Sequence, residues 1–171
     1  LKGETRSASF LALNPNGKIP LVVFDDGRVL SESNAILGYF AEHTDFLPKD
    51  RFLKAKVYEW LFFEQYSHEP YIAVARFIQK YQNMPNDRLN EYYALHEKGY
   101  KALDVMEKQL EKTAFLTSQS PTIADIALYA YTHVANEGGF NLTAYPKIQR
   151  WLQRIKQLPG YVGMNTDSTS N

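Results

Sequence analysis

Asn14-Pro15-Asn16-Gly17-Lys18-Ile19-Pro20 and Glu32-Ser33 are the first places where this sequence groups residues able to do chemistry. A proline that opens a strand cannot donate a ladder hydrogen bond. A cis Ile19-Pro20 bond would turn the chain sharply and expose the N–H and C=O of Ile19, which could pair with an extended peptide by strand addition. Glu32-Ser33 precedes an apolar helical pattern. Free N–H groups and the dipole at a helix start favour a carboxylate, and the Ser33 hydroxyl adds a donor. The spacing describes a seat for a short peptide with an anionic end. An ordinary loop, a strand-edge proline and a serine N-cap account for the same residues and are the commoner arrangement.

Ser120-Pro121-Thr122-Ile123-Ala124-Asp125 is the second constellation. Thr122 and Asp125 have capping-box spacing, in which each side chain takes the other residue's backbone N–H. An acid that opens an apolar helix is explained by capping, so Asp125 is read as structural rather than catalytic. His43, His68, His96 and His133 are scattered without the partners a metal requires. No metal is expected.

Two regimes must position these residues. Residues 1–47 carry strand and turn signals, 48–163 carry helical periodicity, and 164–171 form a small polar tail expected to fray. Ile19 to Phe24 and Val29-Leu30 flank Asp25-Asp26-Gly27, a hairpin signal. Ile36, Leu37 and Phe40 then share a helical face, with serines ahead of them as caps. A helix over about 51–81 places Ala55, Tyr58, Leu61, Phe62 and Gln65 near one face, and Pro70 should kink or break it. A helix over about 87–112 carries a stripe that includes Tyr92, Tyr93 and Leu103. The helix over about 122–136 is apolar all round and therefore central, and a last helix runs over about 146–157. A lone hairpin is marginal in water, so an upstream strand–helix–strand unit of roughly 30 residues is expected.

Composition narrows the function classes. Hydrophobic residues are 44% and charged residues 22%, which excludes general disorder. Lys plus Arg equals Asp plus Glu at 19 each, so the basic surplus that nucleic acid or an anionic membrane demands is lacking. Cysteine is absent, which excludes a disulfide or a cysteine nucleophile within this sequence.

Asn14 to Pro20, Glu32-Ser33-Asn34-Ala35-Ile36 and Thr122-Ile123-Ala124-Asp125, in this order and spacing, resemble a soluble, bacterial-like glutathione transferase. Tyr145-Pro146-Lys147-Ile148 to Trp151-Leu152 is similar to that family's closing helix. The resemblance implies an α+β chain: a partial thioredoxin-like domain followed by an all-helical one, usually in a cytoplasmic homodimer. It implies glutathione as co-substrate, conjugated to a small hydrophobic electrophile in detoxification, or related thiol chemistry. A non-catalytic binding or assembly module is the alternative, since fold does not dictate function. Ile19, beside Pro20, would pair with the cysteinyl part, Glu32 and Ser33 would hold the γ-glutamyl end, and Lys18 would meet the glycyl carboxylate. The family's thiol-activating residue maps ahead of residue 1, so none is named. Tyr66 and Tyr71 are the expected lining of the electrophile pocket, their rings and hydroxyls suiting an apolar site with a polar handle.

Overall fold

The computed structural model describes residues 3–163, so the polar stretch 164–171 lies outside the described residues. A short helix α1 (Ala8–Leu13) is capped by Ser7, whose Oγ accepts the Phe10 N–H. Strands β1 (Leu21–Val23) and β2 (Val29–Ser31) pair antiparallel, Val22 opposite Leu30. Their turn has Gly27 at φ 82°, a conformation open to glycine. Asp26 accepts from the Arg28 backbone and guanidinium, which fixes the same turn. Helix α2 (Ser33–Ala41) follows at once. The rest is helical: α3 (Arg51–Phe63), α4 (Glu69–Arg76), α5 (Leu89–Leu110), α6 (Ile123–Thr132) and α7 (Pro146–Lys156). This is the α+β arrangement the sequence implied, a hairpin with helices followed by a helical bundle.

Helix α6 sits in the middle, against α2, α3 and α4, while α5 packs on α4 and α7. Leu128, Leu103, Met106, Ile148 and Trp151 are fully buried there. Asp125 knits this core together. Its Oδ1 accepts the Leu116 N–H at 2.9 Å and the Trp151 indole N–H at 2.8 Å. Its Oδ2 accepts the Thr122 N–H at 2.9 Å, closing the capping box.

The interruption expected at Pro70 takes the form of a π turn, while the faces read for α3 and for Phe40 and Tyr93 need correction. The ladder loosens into a π turn at Glu64–His68 just before Pro70, where the Glu69 N–H bonds the Glu64 carbonyl. That wider turn absorbs the missing donor and the ring, so the helical path continues to Tyr81. The buried face of α3 is Val57, Trp60 and Leu61, with Tyr58 and Phe62 exposed opposite. Phe40 and Tyr93 are also exposed. Phe40 turns instead toward Phe24 and Tyr39, at ring separations of 6.4 and 5.4 Å, so the hairpin and α2 share a small aromatic cluster of their own.

Candidate functional site

Asn14 builds the first wall of the site. It is buried, its Nδ2 donates to the Lys18 carbonyl at 2.7 Å, and its Oδ1 accepts the Asn16 N–H at 3.1 Å. This side-chain staple folds residues 14–18 into a tight loop. The Ile19–Pro20 bond that follows is cis, and Ile19 is 73% exposed.

The second wall is the start of α2. Glu32, not a serine, is its N-cap residue, and no side chain caps the helix. Ser33 is the first helical residue. The N–H groups of that first turn therefore keep their donor capacity, and the helix dipole adds positive potential. Glu32 stands at φ 71°, ψ 116°, strained for a residue with a Cβ. Such strain persists where surrounding contacts enforce it. One such contact is Asn34, whose Nδ2 donates to the Leu61 carbonyl at 3.2 Å and to Glu64 Oε2 at 3.1 Å. The first turn of α2 is thereby clamped to the end of α3.

These walls face α4 and α6 across a cleft of about 830 Å³. Lys18, Ile19, Pro20, Glu32 and Ser33 all line it. The sequence motifs thus meet in one place, although residues 18 and 33 come from separate loops. Tyr66 and Tyr71 do not line it. Tyr66 is 82% exposed, on the same outer side as Phe62, and Tyr71 packs under the Lys98 ammonium at 5.3 Å. The π turn advances the helix by an extra residue, which Tyr66 and Tyr71 could not reveal from spacing alone.

The far wall went unread in the sequence. It presents Gln65, Glu69, Arg76 and Lys80 from the long helix and Tyr131 and Val134 from the α6 side. The four polar residues recur at roughly helical spacing along one face, a signal that a charge-periodicity reading would have found. Glu64 lies between the walls. Burial pushes its carboxyl above the usual range, against the hydrogen bonds it accepts from Gln65 and Asn34. Burial likewise raises Glu69, with the Lys18 charge pulling the other way. His133 also reaches the cleft. Its Nδ1 donates to the Tyr129 carbonyl at 2.8 Å. No cluster of three metal-ligating side chains occurs among the described residues, and none of their helices is long and apolar enough to cross a membrane.

Comparison with known proteins decides the family. The glutathione S-transferase C-terminal domain matches residues 61–159, and the glutathione S-transferase N-terminal domain matches residues 1–43. The chain belongs to the glutathione S-transferase family. A crystal structure of a glutathione S-transferase from Pseudomonas fluorescens superposes with a TM-score of 0.94 at 58% identity, over 95% of this chain and 81% of that one. Glutathione S-transferase 2 of Anopheles gambiae is 32% identical over 167 residues, 94% of this chain and 77% of its own length. A disulfide-bond oxidoreductase of Escherichia coli is 30% identical over 165 residues, 92% of this chain and 76% of its own. Within this transferase fold, Thr122 and Asp125 lie in the helical core, and the cleft lies between the hairpin side and the bundle.

Proposed function

We propose that this transferase binds glutathione in the cleft and directs its thiol at a second, small electrophilic substrate. The observation that carries the reading is the convergence of two features on one cavity: the exposed Ile19 ahead of the cis proline and the uncapped start of α2. Ile19 pairs with the cysteinyl portion, as an added strand would. The Ser33 hydroxyl and first-turn N–H groups hold the γ-glutamyl carboxylate. Glu32 takes the ammonium at the same end, and Lys18 meets the glycyl carboxylate. Held at both ends, the tripeptide presents its sulfur toward α4 and α6. Conjugation then needs the thiol as thiolate, through a donor that lowers its pKa. No residue of this chain is assigned that role.

Thiol–disulfide chemistry is the second reading. It draws on the oxidoreductase relative and on the far wall, whose charged residues suit a polar, peptide-like partner. In either case the glutathione comes from a cytoplasmic pool.

Ser33→Ala is expected to weaken glutathione binding about tenfold, the loss of one hydrogen bond to a charged group. Its melting temperature should stay close to that of the wild type, since no side chain caps this helix. Isothermal titration with glutathione checks the affinity and thermal unfolding the stability, and unchanged affinity removes Ser33 from the site.

The same reading includes a homodimer. It is supported by Tyr58, Phe62 and Tyr66, exposed one to two turns apart on the outer side of the long helix, Phe62 at 74%. Light scattering is expected to give twice the chain mass for the wild type and a monomer for Phe62→Arg. A monomeric wild type contradicts it.

A further inference from the structure

We propose that the far wall of the cleft binds a carboxylate on the second substrate, so that the preferred substrate is an apolar electrophile carrying an acidic group. This rests on the glutathione reading for the near wall but not for its own evidence, which is the disposition of Arg76, Lys80 and Glu137. Arg76 Nε donates to Glu137 Oε2 at 2.6 Å, and Lys80 Nζ donates to Glu137 Oε1 at 2.6 Å. One carboxylate therefore serves two cations, leaving a unit of positive charge at this end of the cleft. All three residues line the cavity.

Among the described residues Arg76 hydrogen-bonds a carboxylate through Nε alone. A planar guanidinium held by one carboxylate at Nε and flanked by Tyr81 can still take a second carboxylate in a two-bond fork, which an ammonium cannot reproduce. Arg76 is held for this purpose: Glu137 fixes one edge, and its carbon lies 5.3 Å from the Tyr81 ring centroid. Its side chain is only 19% exposed, so water screens a bound anion weakly. The cleft's own acids, Glu64 and Glu69, also line it, and Tyr131 feels both of them as well as Arg76, while Glu69 is under the influence of Lys18. Beside the cations, Ile126, Ala127, Ala130 and Val134 provide an apolar floor. An apolar body with an acidic tip fits that surface, whereas an uncharged hydrophobe leaves Arg76 without an added partner.

The test uses the full-length protein and two matched probe pairs. In the first, S-(4-carboxybenzyl)glutathione is compared with S-(4-methylbenzyl)glutathione by titration. The acid is expected to bind about tenfold more tightly, a preference that shrinks as salt rises. Arg76→Gln and Lys80→Gln should each reduce the preference while leaving the methyl compound's affinity unchanged. Glu137→Gln should enlarge it by removing the competing carboxylate, a gain that damage to the fold would not produce. In the second pair, 4-methylbenzoate and 4-methylbenzamide are titrated without glutathione. Selective binding of the benzoate that Arg76→Gln abolishes supports the proposal even if glutathione itself fails to bind, in which case only the near-wall reading falls. Glutathione binding with no acid preference, or a preference indifferent to Arg76 and Lys80, overturns it.

Discussion

Asp125→Ala is expected to lower stability by about 3–4 kcal/mol and the melting temperature by roughly 10 °C. The carboxylate is buried and receives only donors: the Leu116 and Thr122 N–H groups, the Trp151 indole and the Thr122 hydroxyl at 3.3 Å. Removing it strands several buried donors at once, each costing on the order of 1–3 kcal/mol with incomplete additivity. Burial pushes this carboxyl upward, and the four hydrogen bonds pull it back toward the ionised form. Asp125→Asn keeps an oxygen for Leu116 and Trp151 and loses the Thr122 bonds, so it should fall between wild type and alanine. Thermal and urea unfolding check the order. Glutathione affinity, measured well below the transition, should hardly move, because Asp125 does not line the cleft. Normal stability with lost turnover would contradict the structural role.

The second large effect comes from His68, which should make the fold acid-sensitive from about pH 6.5 downward. His68 is fully buried at the α3–α4 junction, with Nε2 2.8 Å from the Thr132 hydroxyl. That hydroxyl spends its one proton on the Leu128 carbonyl, at 2.6 Å. Nε2 must therefore donate, and Nδ1 is left as a buried acceptor without a partner. Burial lowers the imidazole pKa to about 3. The folded state then binds fewer protons than the unfolded chain, so stability rises with pH across this window and is lost as pH falls through it. A depression of that size corresponds to about 4–5 kcal/mol, spread between pH 6.5 and 3. Glu64, Glu69 and Asp125 are shifted upward and act in the opposite sense just above the usual carboxylate range. The difference between wild type and His68→Gln isolates the histidine. Urea titrations from pH 7 to 4 should show a steeper loss for the wild type, and equal slopes would contradict the neutral buried imidazole.

Legibility in the sequence tracked locality. The hairpin turn needs only Asp26 and Gly27, and the capping box only Thr122 and Asp125, so each could be read from a few neighbouring residues. The near wall was legible for the same reason, as Asn14 to Pro20 and Glu32-Ser33 are short motifs with their own backbone logic. The far wall was legible only in part: the spacing of Gln65, Glu69, Arg76 and Lys80 marks a polar face but not its partner. Arg76 and Glu137 are 61 residues apart, and nothing in either neighbourhood announces the other. Tyr66 and Tyr71 misled because a π turn changes which way a helical residue points, and aromatic side chains serve surfaces, cores and pockets alike. The Glu32 backbone at φ 71° was equally invisible, since it is imposed by tertiary contacts against the preference of the residue.

The most direct measurement is a crystal structure of the protein soaked with glutathione. The account places the ligand antiparallel to the Ile19 backbone, its γ-glutamyl carboxylate within hydrogen-bond distance of the Ser33 hydroxyl and the first N–H groups of α2, and its sulfur toward Tyr131. Glutathione lodged elsewhere, or a cleft that stays empty at saturating ligand, would contradict it.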